Sequence, residues 1–189
     1  SARCLDAMLG SGYFARTGGE VLCLGAGGAA TAIVMQWLDR VDRPSRIVIV
    51  DPADGRLDAL RALTESGESG IGFEYRCHAD AQSNDRLMEQ LPPCSLVINA
   101  TGMGKDLPGS PITGAGIFPA DGIAWELNYR GPLEFYHQAM RQREARHLGV
   151  EDGWQYFLHG WTSVIAEVLH QEIDTNLFER LARIAGRSR

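Results

Sequence analysis

Apolar positions along this chain keep two rhythms, and the alternation between them outlines a fold. Val21-Leu22-Cys23-Leu24 and Ile47-Val48-Ile49-Val50, the latter within 46–51, are continuous apolar runs. Runs with no polar face are how parallel strands buried on both sides read. Segments 73–77, 95–99 and 123–127 supply three further strands. Between them apolar residues return every three or four positions. Ile33, Val34, Trp37 and Leu38 do so within 29–38, and Leu57, Leu60 and Leu63 within 54–63. Helices are also read at 84–90 and 133–146. Leu5, Met8 and Leu9 mark an opening helix within 2–15, closed by the turn Thr17-Gly18-Gly19. Strand and helix alternate at least four times, which predicts an α/β fold built on a doubly wound parallel sheet with right-handed crossovers.

The last third is helical. Trp154, Phe157, Leu158, Trp161, Val164, Ile165, Val168 and Leu169 form one wide apolar stripe. Trp154 and Trp161 are read as core packing. Asp174-Thr175 starts a closing helix with Leu177, Phe178, Leu181 and Ile184 on one side. The Gly/Pro-rich stretch 101–119 is far longer than the ~4–6 residues of a typical connector.

Composition narrows the function classes. With 189 residues, 44% hydrophobic and 22% charged, the chain can bury a full core as one domain without disulfides or metal. The formal net charge is -6 and the basic residues form no stripe, which argues against a nucleic-acid partner. No apolar run approaches the ~20 residues of a membrane span. Cys4, Cys23, Cys77 and Cys94 lack C-x-x-C spacing and no secretory signal precedes them, so a reducing cytoplasm is expected. His78, His137, His147 and His170 lack metal-ligand spacing, and no metal is expected.

The chemistry concentrates at Gly25-Ala26-Gly27-Gly28-Ala29-Ala30, a G-x-G-x-x-G/A pattern that follows a strand and opens a helix. In that setting Gly25 permits a tight turn and Gly27 lets a diphosphate approach the backbone. Ala30 allows close strand–helix packing, and the helix N-terminus presents N–H groups to the anion. The fold is therefore Rossmann-like. Asp51 ends the second strand, where a carboxylate accepts both ribose hydroxyls of adenosine and repels a 2′-phosphate. Pro52 follows it and the nearest downstream arginine is Arg56, so NAD is favoured, with NADP as the alternative.

Four ordered motifs carry a family resemblance. Gly25-Ala26-Gly27-Gly28-Ala29 matches G-A-G-G-A, and Asn99-Ala100-Thr101-Gly102-Met103-Gly104 matches N-A-T-x-x-G. Glu126-Leu127-Asn128-Tyr129 is similar to D-x-x-Y, with Glu in place of Asp. Asp152-Gly153-Trp154-Gln155-Tyr156-Phe157-Leu158-His159-Gly160 is similar to D-G-L-x-M-L-V-x-Q. Together they make the chain resemble the cofactor-binding half of the shikimate/quinate dehydrogenases. The resemblance implies a nicotinamide-dependent oxidoreductase acting on a cyclic hydroxy or keto carboxylate. It places Gly25, Ala26, Gly27, Gly28 and Ala29 at the diphosphate and Asp51 at the adenosine ribose. Asn99, Ala100, Thr101, Leu127 and Gly153 fall near the nicotinamide, and Tyr129 faces the substrate.

It also implies a substrate domain upstream of Ser1, with residues 1–9 as the linking helix and the catalytic Lys–Asp pair outside this chain. Lys105, the only lysine, falls outside the family's catalytic motif. Gly160 stands where the family has a substrate-holding glutamine, and Tyr129-Arg130-Gly131 departs from Y-N-P. His159 lies off the apolar stripe beside Gln155, Thr162 and Ala166. That polar stripe is read as lining the substrate cleft, with a solvent-exposed histidine as the other reading. A non-catalytic NAD-binding regulator on the same fold is the alternative function, and an oligomer is possible.

Overall fold

The computed structural model describes residues 2–65, 69–170 and 172–186, the side chains of Ala2, Arg3 and Thr175 excepted. Its centre is a six-stranded sheet, all parallel, in the order β3-β2-β1-β4-β5-β6. The strands are β1 (Val21–Leu24), β2 (Arg46–Asp51), β3 (Gly72–Cys77), β4 (Leu96–Asn99), β5 (Ile123–Glu126) and β6 (Gly149–Glu151). Within the continuous apolar runs the side chains alternate between two cores. Val21, Cys23, Ile47, Ile49, Leu96 and Ile98 face one layer. Leu22, Leu24, Val48, Val50 and Val97 face the other. Period-two alternation with apolar residues on both faces is what a sheet clothed on both sides requires.

On the first face lie α1 (Ala2–Leu9), α3 (Gly28–Leu38) and α4 (Asp54–Thr64), contributing Leu5, Ile33, Trp37, Leu57 and Leu60. On the second lie α5 (Ala81–Glu89) and α6 (Glu134–Arg146), contributing Met88, Phe135 and Ala139. The opening helical segment is broken: α1 stops before Gly10 and a short α2 (Tyr13–Thr17) follows Gly12. Both glycines have φ near +65 to +70°, a left-handed conformation that ends a helix. α5 begins earlier than its apolar spacing suggests, because the Asp80 carboxylate accepts Gln82 N (3.3 Å) and Ser83 N (2.9 Å). β6 has three residues, two of them exposed, and is too short and polar to show in the apolar pattern.

The long connection from β4 to β5 takes the place of a crossover helix. Ile112 and Phe118 fill the second core. Its backbone is tied to α6 by Gln138 Nε2 donating to Ile112 O (3.3 Å), Gln142 Nε2 to Gly116 O (2.7 Å) and Arg146 Nε to Phe118 O (2.9 Å). Buried Asp85 of α5 accepts Thr113 N (3.0 Å). These bonds satisfy backbone groups that a helix would have paired internally. The chain ends with α7 (Trp154–Leu169) and α8 (Thr175–Gly186). Among the described residues no helix is long and apolar enough to cross a membrane.

Candidate cofactor and substrate cleft

The strand order reverses between β1 and β4, and the carboxyl ends beside such a switch point are where open α/β sheets leave a crevice. A cleft of about 960 Å³ opens there. Gly27, Gly28, Ala29, Asp51, Ala100 and Thr101 line it, as do Leu127 and Tyr129 further along the sheet edge. Eight of the residues singled out in the sequence therefore meet in one cavity.

The glycine loop owes its shape to two close approaches. Gly25 has φ 107°, and a Cβ there would lie 2.6 Å from Ala100 O, so the loop after β1 runs against the loop after β4. Gly27 is different: its φ of -78° suits any residue, and a Cβ on it would meet no atom within 4 Å. That Cβ would project into empty cleft. No side chain caps α3, so the first-turn N–H groups that every helix leaves unpaired stay open to an anion.

Asp51 is 3% exposed and does two things. Its Oδ2 accepts Ala26 N (2.8 Å) and its Oδ1 accepts Ala53 N (2.9 Å), which clamps the glycine loop to the start of α4. A carboxylate has about four acceptor sites, so capacity remains for ribose hydroxyls. Arg56 Nη1 lies 3.7 Å from Asp51 Oδ2, and Arg56 also lines the cleft. The arginine that the sequence sets five positions away thus reaches back to this carboxylate.

The other end is built around a buried knot. Glu126 is fully buried; its carboxylate accepts Asn99 Nδ2 (2.8 Å), Asn128 N (2.9 Å) and Asn128 Nδ2 (2.7 Å). Asn99 and Asn128 also donate to Met103 O (3.2 and 2.9 Å), fastening the loop after β4. Burial pushes the Glu126 carboxyl up to about 7, against the three hydrogen bonds that favour its charge. The folded protein therefore holds a proton that the unfolded chain releases above its ordinary value near 4.5. Stability is highest while both states are protonated and falls as pH rises from about 4.5 to about 7, by about 3 kcal/mol. Denaturant titrations at pH 5 and pH 8 are expected to show this loss in the wild type and its absence in Glu126→Gln. Parallel pH profiles for the two proteins would contradict it.

Several expected site residues lie behind the wall. Asn99, with no exposure, acts through Glu126 and through Thr101, whose N and Oγ1 donate to its Oδ1 (3.1 and 2.7 Å). Gly25 and Ala26 shape the loop from beneath. Gly153, placed by resemblance near the nicotinamide, is buried under the chain leaving β5. Its N donates to Asn128 O (3.1 Å), and a Cβ there would penetrate Leu127 O. His159 is a correction to the substrate-binding expectation: its ring stacks on Phe178 of α8, centroids 4.4 Å apart, outside the cleft.

Trp161 and its stripe are a second correction. Trp161 is 57% exposed and Val164 55%, and both line the cleft with Phe157 and Gly160. Leu158 and Thr162 are the buried side of α7. Periodicity identifies an apolar stripe and says nothing of what faces it. Tyr129 stacks on Phe157 with centroids 4.1 Å apart, and Lys105 Nζ and the Arg130 guanidinium each stand 5.8 Å from the Tyr129 ring centre. Lys105, Asn84, His78 and Trp161 are cleft residues that the motifs did not assign. For Lys105 its position in the loop after β4 was the available signal.

No family model matches the chain. It is 33% identical over 157 residues to a shikimate dehydrogenase (NADP(+)) of Methylobacterium radiotolerans, covering 82% of this chain and 49% of that protein. A shikimate dehydrogenase (NADP(+)) of Methylobacillus flagellatus is 29% identical over 140 residues, 74% of this chain and 46% of that one. The chain thus spans about half the length of the curated relatives it matches. Among solved structures, quinate dehydrogenase from Corynebacterium glutamicum in complex with NAD superposes with TM-score 0.68 at 18% identity, over 97% of this chain and 59% of that one. Shikimate 5-dehydrogenase from Listeria monocytogenes, in complex with shikimate and NAD, superposes with TM-score 0.61 at 17% identity, over 92% and 62%. At these identities the superpositions speak to the fold, and the curated relatives carry the kinship. Over most of its length the chain is a divergent relative of the shikimate dehydrogenases.

Proposed function

We propose that this chain supplies the dinucleotide site of an NAD(P)-dependent dehydrogenase that interconverts a hydroxyl and a keto group on a cyclic carboxylate. The observation that carries the reading is the cleft at the switch point, floored by Gly27 and Gly28 and bounded by Asp51. The empty space over Gly27 and the uncapped first turn of α3 fit a diphosphate. The nicotinamide, when bound, supplies or takes up the hydride. Gly27, Gly28 and Ala29 hold the diphosphate, Asp51 the ribose hydroxyls, and Ala100, Thr101 and Leu127 bound the nicotinamide end. Tyr129 and Gly160 face the substrate, and the bare Gly160 leaves room where the family glutamine stands. Hydride transfer also needs a group to take the hydroxyl proton. We assign it to a Lys–Asp pair in a preceding substrate domain, which fits relatives about twice the matched length.

NAD is the preferred cofactor on this reading, because a 2′-phosphate would meet the Asp51 carboxylate at close range. Arg56 beside that carboxylate offsets part of the repulsion and admits NADP. Calorimetric titration is expected to show NAD bound about tenfold tighter than NADP, roughly 1.4 kcal/mol. Arg56→Ala should weaken NADP and spare NAD. Equal or tighter binding of NADP by the wild type would remove the ribose assignment from Asp51, and failure to bind either would remove the function.

A further inference from the structure

Among the described residues, two that line the cleft, Asn84 and His78, each hold a buried side-chain atom with no hydrogen-bond partner: Asn84 Oδ1 and His78 Nδ1. A buried polar atom left unpaired is costly, and native interiors hold few of them. Asn84 is 5% exposed, and its orientation is determined by its neighbour. The Pro111 carbonyl can only accept, so the Asn84 amide nitrogen must face it, at 2.8 Å. The free Asn84 atom is therefore an oxygen.

Its place in the sheet says what it is free for. Asp51 and Cys77 are register partners at the ends of β2 and β3, and His78 is the next residue. Asn84 follows in the first turn of α5. Along the carboxyl edge the order is thus His78, then Asp51, the glycine loop, Thr101 and Tyr129, and Asn84, on the helix that leaves β3, lines the same cleft where its amide meets the β4–β5 connection. A dinucleotide whose ribose sits on Asp51 and whose diphosphate sits on Gly27 has its purine on the β3 side of Asp51.

Resting on the dinucleotide reading above, we propose that Asn84 Oδ1 accepts a hydrogen bond from the 6-amino group of the cofactor's purine, so that the cleft selects adenine over a 6-oxo purine. His78 Nδ1 serves the same edge as a donor to a ring nitrogen. A 6-oxo purine sets a carbonyl oxygen against the Asn84 oxygen, leaving two acceptors face to face and unpaired. Sites built to hydrogen-bond a substrate group reject analogues that lack it more strongly than apolar pockets do.

The test is calorimetric titration of the 189-residue chain with NAD and with nicotinamide hypoxanthine dinucleotide, its 6-oxo counterpart. The wild type is expected to bind NAD at least about tenfold tighter. Asn84→Ala and the similarly sized Asn84→Leu should bring the two dinucleotides within about twofold of each other by weakening NAD. Melting curves identify which variants remain folded, and the pair guards against the loss of one. Equal affinities in the wild type, or a preserved preference in either folded variant, overturn the proposal while leaving the dinucleotide site standing. Failure of the wild type to bind NAD or NADP overturns both.

Discussion

Gly27→Val is expected to weaken NAD binding by about a hundredfold or more and to leave the melting temperature unchanged. The two halves of that expectation have separate physical causes. Gly27 sits at φ -78° and ψ -176°, extended backbone that valine prefers, and a Cβ there touches nothing within 4 Å. The folded apoprotein therefore has no reason to resist the substitution. The new methyl groups occupy the space over the first turn of α3, through which a diphosphate must come to reach the free N–H groups. Loss of those charge-assisted bonds corresponds to about 3 kcal/mol, or roughly a hundredfold. Calorimetry on the two proteins checks the affinity, and differential scanning calorimetry the stability. A folded Gly27→Val protein that binds NAD like the wild type would show that no diphosphate crosses this turn.

Gly153→Ala is expected to do the reverse, striking stability first. Its own φ and ψ, -76° and 2°, are accessible to alanine, so strain in the residue itself is not the cause. The added methyl would lie inside Leu127 O and press on the Asn128 carbonyl carbon, and both are backbone atoms that cannot turn aside. β5 or the start of α7 must move. Overpacking that forces backbone shifts costs about 3 kcal/mol. In a chain of this size that lowers the melting temperature by about 6–12 °C. Phe157 and Trp161 ride on α7, so the displaced helix should also bind dinucleotide more weakly. An unchanged melting temperature for Gly153→Ala would mean that α7 is not docked on the exit of β5.

The positions of these two glycines show where sequence reasoning succeeds. The glycine loop was legible because its geometry is local: a strand, a tight turn and a helix start are consecutive in the chain. Their glycines answer to steric limits that act within a few residues. Four of the strands, β1, β2, β4 and β5, were legible for a similar reason, since burial on both faces leaves an apolar run, whereas half-exposed β3 is mixed in sequence. Gly153 has no such local signature. Its smallness is demanded by Leu127, twenty-six positions away, and only the folded chain brings the two together.

Asp51 lies on the boundary. Its place at the end of a strand after the glycine loop marked it as a candidate ribose acceptor. What the fold adds is a clamp: the carboxylate holds Ala26 N and Ala53 N and has lone pairs left to accept more. Arg56 reaching back to it depends on the first turn of α4, which the sequence allowed without specifying.

By itself the sequence determined the α/β class, the order of the elements, the glycine loop and the acid beyond it. Each of those follows from periodicity or from contacts between near neighbours in the chain. Tertiary structure alone decided which side of α7 faces the cleft, turning Trp161 into it and His159 onto Phe178. It alone brought Glu126, Asn99 and Asn128 into one buried knot, and left Asn84 Oδ1 without a partner in the cleft wall. An amphipathic pattern records how apolar a face is, and both a core and a ligand cleft are apolar. What separates them is the distance to the next element, which the parallel register of the sheet sets across residues far apart in the chain.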